Sequence, residues 1–484
     1  VEEIKDRAFL QCYDLKEVML PESVTYIGEL AFGYCDSLKK INIPSRVRKV
    51  AADAFYECEN LLSIDVASEN EFYSSHDGVL LNKSGDTLIT CPDGKKEYVI
   101  PNGVCTIGES SFENCEKLSR IDIPETVTAI EKDAFLHCSR LESVKLPNSV
   151  RVLKEWIFSS CERLKTVILG DLLESIEVGA FYGCCKLREI NIPDSVKSIT
   201  YSAFDGCVGL KNLCFPKSME TLCVDLGCGN GTKKFEIDPE NPYFTVVDGV
   251  LYDKSLSTLV LFPMSKKRCN ILSSVKRIGR SAFCDSEIKK FTIPDSVEVI
   301  EDSAFEYSSL TEMSLSKNLV RIENSVFNSS DLKRVVLPPS LQYIGKEAFS
   351  SCYSLSYVFI PASVSFIGEN AFRRDFAPKK EEIEVSPDNK VFSCYEGALL
   401  NHLEGRLIYC PKNKVSFSIP ETVQIIGMYA FESCNKLKKV EIPTSVRVIE
   451  EGAFANCRSL KHLVSPESVT DIGDCALEFY EDLE

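Results

Sequence analysis

Two hydrophobic periodicities alternate along this chain and recur together every 23 residues. In the segment from Leu38 to Leu61, Ile41 and Ile43 alternate with Lys40 and Asn42. That is the period-2 pattern of a strand with one buried face. Pro44 has no N–H to give to a ladder and ends the strand. Val47 and Val50 then form a second, shorter apolar step. Ala54, Phe55, Cys58 and Leu61 follow on what is predicted to be one side of a short helical turn. A sister unit places Ile27, Ala31, Phe32 and Cys35 at i, i+4, i+5 and i+8. Prolines keep the same step: Pro101, Pro124 and Pro147 are 23 residues apart, as are Pro420, Pro443 and Pro466.

A fixed period of this length means stacked units, each burying its apolar side only against its neighbours. The expected fold is therefore α/β, a right-handed solenoid with a concave parallel β-sheet and about 17 repeats of 22–23 residues. A phenylalanine column counts them, from Phe9, Phe32 and Phe55 to Phe431 and Phe454, with Leu477 last. One degenerate unit, Met219 to Phe235, replaces the Ala-Phe step with Leu226-Gly227-Cys228-Gly229.

Three inserts interrupt the period, at 67–100, 238–271 and 386–419. They share Asn70/Asn241/Asn389, Tyr73/Phe244/Phe392, Gly78/Gly249/Gly397, Leu80/Leu251/Leu399 and Pro92/Pro263/Pro411. In the first, Val79-Leu80-Leu81 and Thr87-Leu88-Ile89 flank Lys83-Ser84-Gly85-Asp86, a predicted β-hairpin. The inserts are as apolar as the rest, so they read as modules of one solenoid domain spanning 1–484 rather than as linkers.

Composition narrows the function. A net charge of −17 disfavours nucleic acid, because phosphate binding needs a concentrated basic surface. No apolar run reaches the roughly 20 residues that span a bilayer. No signal peptide opens the sequence, and Val1-Glu2-Glu3-Ile4 aligns with Val24 to Ile27, so the expectation is a trimmed chain or a piece of a longer one.

Of 22 cysteines, eleven share one column: Cys12, Cys35, Cys58, Cys115, Cys138, Cys161, Cys184, Cys207, Cys352, Cys434 and Cys457. Ser308, Ser330 and Asp375 take the same place elsewhere. A small buried thiol suits such a column, and parallel Cβ vectors on stacked rungs suit a disulfide poorly. Cys207, Cys214, Cys223 and Cys228 lack Cys-x-x-Cys spacing, which argues against zinc. The run Gly227 to Lys234 lacks the Gly-Lys-Ser/Thr ending of a phosphate loop. His76, His137, His402 and His462 form no His-x-x-x-His pair and pair with no nucleophile at a recognisable spacing. Sequons stand at Asn82, Asn230 and Asn328. No catalytic residue, metal site or cofactor is expected.

The pattern Ile-Pro-x-Ser-Val-x-x-Ile-Gly-x-x-Ala-Phe-x-x-Cys-x-x-Leu, as in Ile43 to Leu61 with local departures or Ile360 to Phe372, resembles the BspA-like, Treponema-type leucine-rich repeat. The Asp-Gly-Val-Leu modules at Asp77 to Leu80 and Asp248 to Leu251 are similar to those of that family. The resemblance implies a cell-surface or secreted protein of a host-associated microbe, with an adhesive role toward a protein or glycan. It carries no shared catalytic or ligand residue. A structural spacer and an intracellular scaffold are the competing roles, and a monomer is expected.

Outward positions of the strands are mostly polar, as with Glu17, Ser63 and Asp65, Arg120 and Asp122, Glu189 and Asn191, and Lys290 and Thr292. Two neighbouring strands depart from this, with Arg334 and Val336 on one and Tyr357 and Phe359 on the next. Cross-strand neighbours lie about 5 Å apart, so these four are expected to make one exposed apolar and aromatic patch with a cationic edge.

Overall fold

The computed structural model describes residues 1–222, 231–268, 270–374, 382–461 and 463–476. Leu226 to Asn230 of the degenerate unit, Cys223, Asp375, His462 and Leu477 lie outside the described residues. Two compact units divide the chain, Val1–Gly249 and Val250–Glu484.

Each unit is a stack of rungs carrying two parallel strand ladders. In the first unit, the two-residue strands Glu3–Ile4, Tyr26–Ile27 and Lys49–Val50 pair in register. Longer strands pair on a second ladder, as Lys40–Ile43 does with Ser63–Val66. The second unit repeats the plan, with Lys290–Thr292, Glu312–Ser314, Arg334–Val336, Tyr357–Ile360 and Glu382–Val385 as successive longer strands. Their burial alternates as the sequence requires: Val335 and Val358 point inward, fully buried. Leu15 to Val18 and Arg188 to Ile192 carry the same alternation of apolar and polar residues but form no strand.

No α-helix occurs among the described residues. The expected helical turn is instead a chain of tight turns, and the backbone explains why. The residue before Ala and the residue before Cys are left-handed in rung after rung: Leu30 and Tyr34 (φ 51° and 59°), Trp156 and Ser160 (55° and 58°), Gly179 and Gly183 (61° and 70°). A left-handed residue every fourth position prevents an α-helix from propagating. It also turns N–H groups toward the next rung, so Phe112 N–H donates to Ala134 O at 2.8 Å and Asn114 N–H to Leu136 O at 2.9 Å. These cross-rung bonds offset the conformational strain.

Phenylalanines stack face to face along the interior. Phe112, Phe135, Phe158, Phe181 and Phe204 are spaced 4.9–5.7 Å apart with rings within 18° of parallel. Ten of the eleven column cysteines are buried, and Cys12 is exposed. Most of the buried thiols donate to the carbonyl of the preceding rung's phenylalanine, as Cys138 to Phe112 O (3.2 Å), Cys184 to Phe158 O (3.2 Å) and Cys457 to Phe431 O (2.9 Å). This is the chemistry behind the column: a small residue with an apolar body and one proton to donate. Serine also fits the place by donating its proton, but within its own rung: Ser308 Oγ donates to Phe305 O at 2.7 Å. Burial pushes the Cys138 and Cys184 thiols up and Cys352 to about 11.

The inserts are three-stranded where fully described. Tyr73–His76, Val79–Asn82 and Thr87–Thr90 run antiparallel, and the last joins the short-strand ladder beside Thr106–Ile107. The hairpin across Lys83 to Asp86 is present. A second hairpin precedes it, turned by Asp77 (φ 47°) and Gly78 (φ 73°), the paired positive φ of a type I′ turn. The shared asparagine is the anchor. Asn70, fully buried, donates to Pro44 O and Val47 O (2.9 and 3.0 Å) and accepts from the N–H groups of Phe72 and Tyr73 (both 2.8 Å). Asn389 repeats all four bonds with Pro361, Val364, Val391 and Phe392.

Candidate binding surface

On most of the longer-strand face, outward side chains satisfy one another. Lys40 pairs with Asp65 (2.6 Å), Arg120 with Asp122 (2.9 Å), Lys165 with Glu142 (2.8 Å) and Lys439 with Glu441 (2.7 Å). Such pairs leave little for a partner to bind.

Strands Arg334–Val336 and Tyr357–Ile360 differ. Their parallel register sets Arg334 opposite Tyr357 and Val336 opposite Phe359, so the four residues expected to form a patch are brought together on one face. The Arg334 guanidinium lies over the Tyr357 ring, 4.7 Å from its centroid, an arrangement that holds both side chains without burying the charge. Val336 is 58% exposed, too open to be core, while Tyr357 and Phe359 are half-buried. Val99 and Ile168 are also exposed and outward, but each faces a charged neighbour, Asp122 and Lys145. Val336 and Phe359 face one another.

Charge continues to either side. Lys290 pairs with Glu312 (2.8 Å), Glu312 stands opposite Arg334, and the Tyr357 hydroxyl donates to Glu384 at 3.0 Å. Burial, and then the Glu384 carboxylate, push the Tyr357 phenol up. A groove of about 860 Å³ leads from Arg268 and Asn270 across Lys290, Glu312 and Met313 to Arg334 and Val336. Glu312 and Glu384 escape sequence reasoning because their roles depend on cross-strand register. Aligning the outward positions strand by strand would have found them.

The face can recognise a partner by apolar, stacking and charged contacts. Elsewhere, Cys207 is buried and Cys214 is exposed beside Glu236 at 3.3 Å. No group of three or more His, Cys, Asp or Glu side chains arranged to hold a metal occurs among the described residues. No helix among them is long and apolar enough to cross a membrane.

Six copies of the family model described as BspA type leucine rich repeat region match residues 1–84, 90–211, 263–376 and 406–484. No curated protein matches the chain. Similar solved structures include a leucine-rich cell surface protein from Faecalibacterium prausnitzii, at 22% identity over 95% of this chain and 86% of that one, with a TM-score of 0.41. The pneumococcal vaccine antigen PcpA matches at 18% identity over 90% and 84%, TM-score 0.42. A leucine-rich repeat protein from Bacteroides ovatus matches at 23% over 83% and 88%, TM-score 0.40.

Proposed function

The chain belongs to the BspA type leucine-rich repeat family, and on that premise we propose that it is a non-catalytic binding protein, secreted or displayed at a cell surface. Its partner is a protein, held by the outward face around Arg334, Val336, Tyr357 and Phe359. The observation that carries this reading is the apolar pair Val336 and Phe359, edged by Arg334 over Tyr357, on a face where several other outward residues pair as opposite charges. Aromatic residues and arginine are the side chains that most often anchor protein interfaces. A glycan partner would stack on the same rings.

Binding of the fluorescently labelled chain to intact cells tests the reading, with the double variant Val336→Ser, Tyr357→Ser beside it. Binding is expected to fall at least tenfold in the variant, and trypsin treatment of the cells should abolish it. Loss on glycosidase treatment with survival after trypsin would transfer the partner to the glycan class. Undiminished binding by the variant would remove this face from the function.

A further inference from the structure

The first insert leaves a gap in the stack that, at the third insert, an arginine of the preceding rung fills. Within each insert, the strand that joins the ladder ends at an equivalent place: Thr90-Cys91-Pro92-Asp93 in the first, Tyr409-Cys410-Pro411-Lys412 in the third. Cys91 N–H and Cys410 N–H both reach the next rung, donating to Ser111 O (2.7 Å) and Ala430 O (2.9 Å). These segments are shorter than a full Ala-Phe-x-x-Cys turn. Phe32 and Tyr34 donate to Ala54 O and Tyr56 O. Among the described residues no carbonyl plays that part for Phe55 and Glu57, and a seam opens between that rung and the one at Phe112.

At the third insert the seam is closed by an arginine of the rung before it. Arg373 donates from Nε and Nη2 to the two carboxylate oxygens of Glu432, both at 2.7 Å, and its guanidinium lies 3.6 Å from the Tyr429 ring centroid. Lys412 adds a bond to the Glu432 carbonyl.

The first insert has the acid without the arginine. Glu113 stands where Glu432 does, and Tyr56 takes the place of Arg373. The space is a cavity of about 760 Å³ walled by Tyr34 and Tyr56, whose rings meet edge to face at 5.8 Å. Asp93 and Ser111 line it, 8% and 2% exposed, and Asp93 Oδ2 and Ser111 Oγ have no hydrogen-bond partner. Glu29, Asp53 and Glu109 add further negative charge to the wall. Lys49 is the one basic residue among the described lining residues, and its ammonium is engaged over the Tyr26 ring at 5.6 Å. A buried carboxylate oxygen and hydroxyl without partners are costly unless something binds them. No metal-binding arrangement is present among the described residues, and an aromatic wall beside carboxylates suits an organic cation.

We propose that this cavity is a binding site for a guanidinium group, supplied by an arginine side chain of a partner or by a small guanidine. Glu113 grips its fork as Glu432 grips Arg373, Asp93 and Ser111 meet its inner edge, and the Tyr34–Tyr56 pair walls one side of it. The site lies in the first unit and is independent of the surface around Tyr357.

Calorimetric titration of the intact chain with Nα-acetyl-arginine amide, its citrulline counterpart and free arginine tests the proposal. Saturable one-to-one binding of the arginine amide and none of citrulline, which has the same shape without the charge, is the expected result. Glu113→Gln, at a half-exposed position, and Asp93→Asn should each weaken binding at least about tenfold while the chain remains folded by circular dichroism. Tyr56→Arg should abolish binding and raise the melting temperature, because the new guanidinium occupies the site from within. Preference for the capped amide over free arginine would assign a peptide ligand; equal affinity would assign a small molecule. Equal binding of citrulline, no saturable heat with either arginine compound, or binding unchanged in Glu113→Gln and Tyr56→Arg would overturn the proposal.

Discussion

A cysteine in this fold is a hydrogen-bond donor in the shape of a small hydrophobe. The sulfhydryl of Cys184 reaches Phe158 O at 3.2 Å while its body fills the interior, so it must stay protonated. Burial holds Cys138, Cys184 and Cys207 in that state. Thiol titration is therefore expected to find few reactive groups in the native chain and nearly all 22 after unfolding without reductant; a large deficit after unfolding would mean disulfides. The left-handed positions are equally exacting. Ser160→Val forces a β-branched residue into φ 58° and should cost about 1–2 kcal/mol in chemical denaturation. Asp93 adds a pH signature. Burial, with Glu57 and Glu113 nearby, pushes its carboxyl well up, and the Cys58 N–H and the Cys115 thiol only partly oppose this. A raised acid pKa means the folded state binds more protons than the unfolded one, so this residue's contribution to stability falls as pH rises above the ordinary carboxylate range. Asp93→Asn should therefore melt higher than the parent at neutral pH, and the gap should close toward pH 4. A gap that widens on acidification would contradict the assignment.

At the scale of elements, the inserts depend on one side chain each. Asn389→Ala would strand two carbonyls and two N–H groups beneath the third insert, a loss of about 3 kcal/mol or more measured by urea unfolding. Asn389→Asp, which sets a buried carboxylate oxygen against the Pro361 and Val364 carbonyls, should cost at least as much. The shared asparagine was visible in the sequence, and so were the ladders: Ile41 and Ile43 alternate with polar neighbours and are buried as that alternation demands. The turn after Val50 was not legible as such. Ala54, Phe55 and Cys58 have a spacing that a helix and a string of left-handed turns both satisfy, and residues such as Leu30 and Trp156 at positive φ carry no composition signal. Asp77-Gly78 did carry one, the Asp-Gly pair of a type I′ turn. The four patch residues were legible because register follows from a constant period; the seam at Asp93 was not, because it requires knowing that the insert's last strand is a shortened rung.

For the molecule as a whole, regularity and function occupy different residues. The repeated positions build rungs, and the departures from repetition, at Val336 and Phe359 or at Asp93, are where recognition is proposed. Around Tyr357 the basic residues are engaged within the chain, Lys290 with Glu312 and Arg334 over the Tyr357 ring, so association at that face should depend only weakly on salt. The location of the partner is the central claim, and photo-crosslinking tests it most directly. A photoreactive amino acid at Val336 should capture the partner on cells to which the chain binds, and the same group at Lys145, an outward position among paired charges, should not. Capture from position 145 as efficient as from 336, or none from 336 while the chain still binds, would place recognition elsewhere on the molecule.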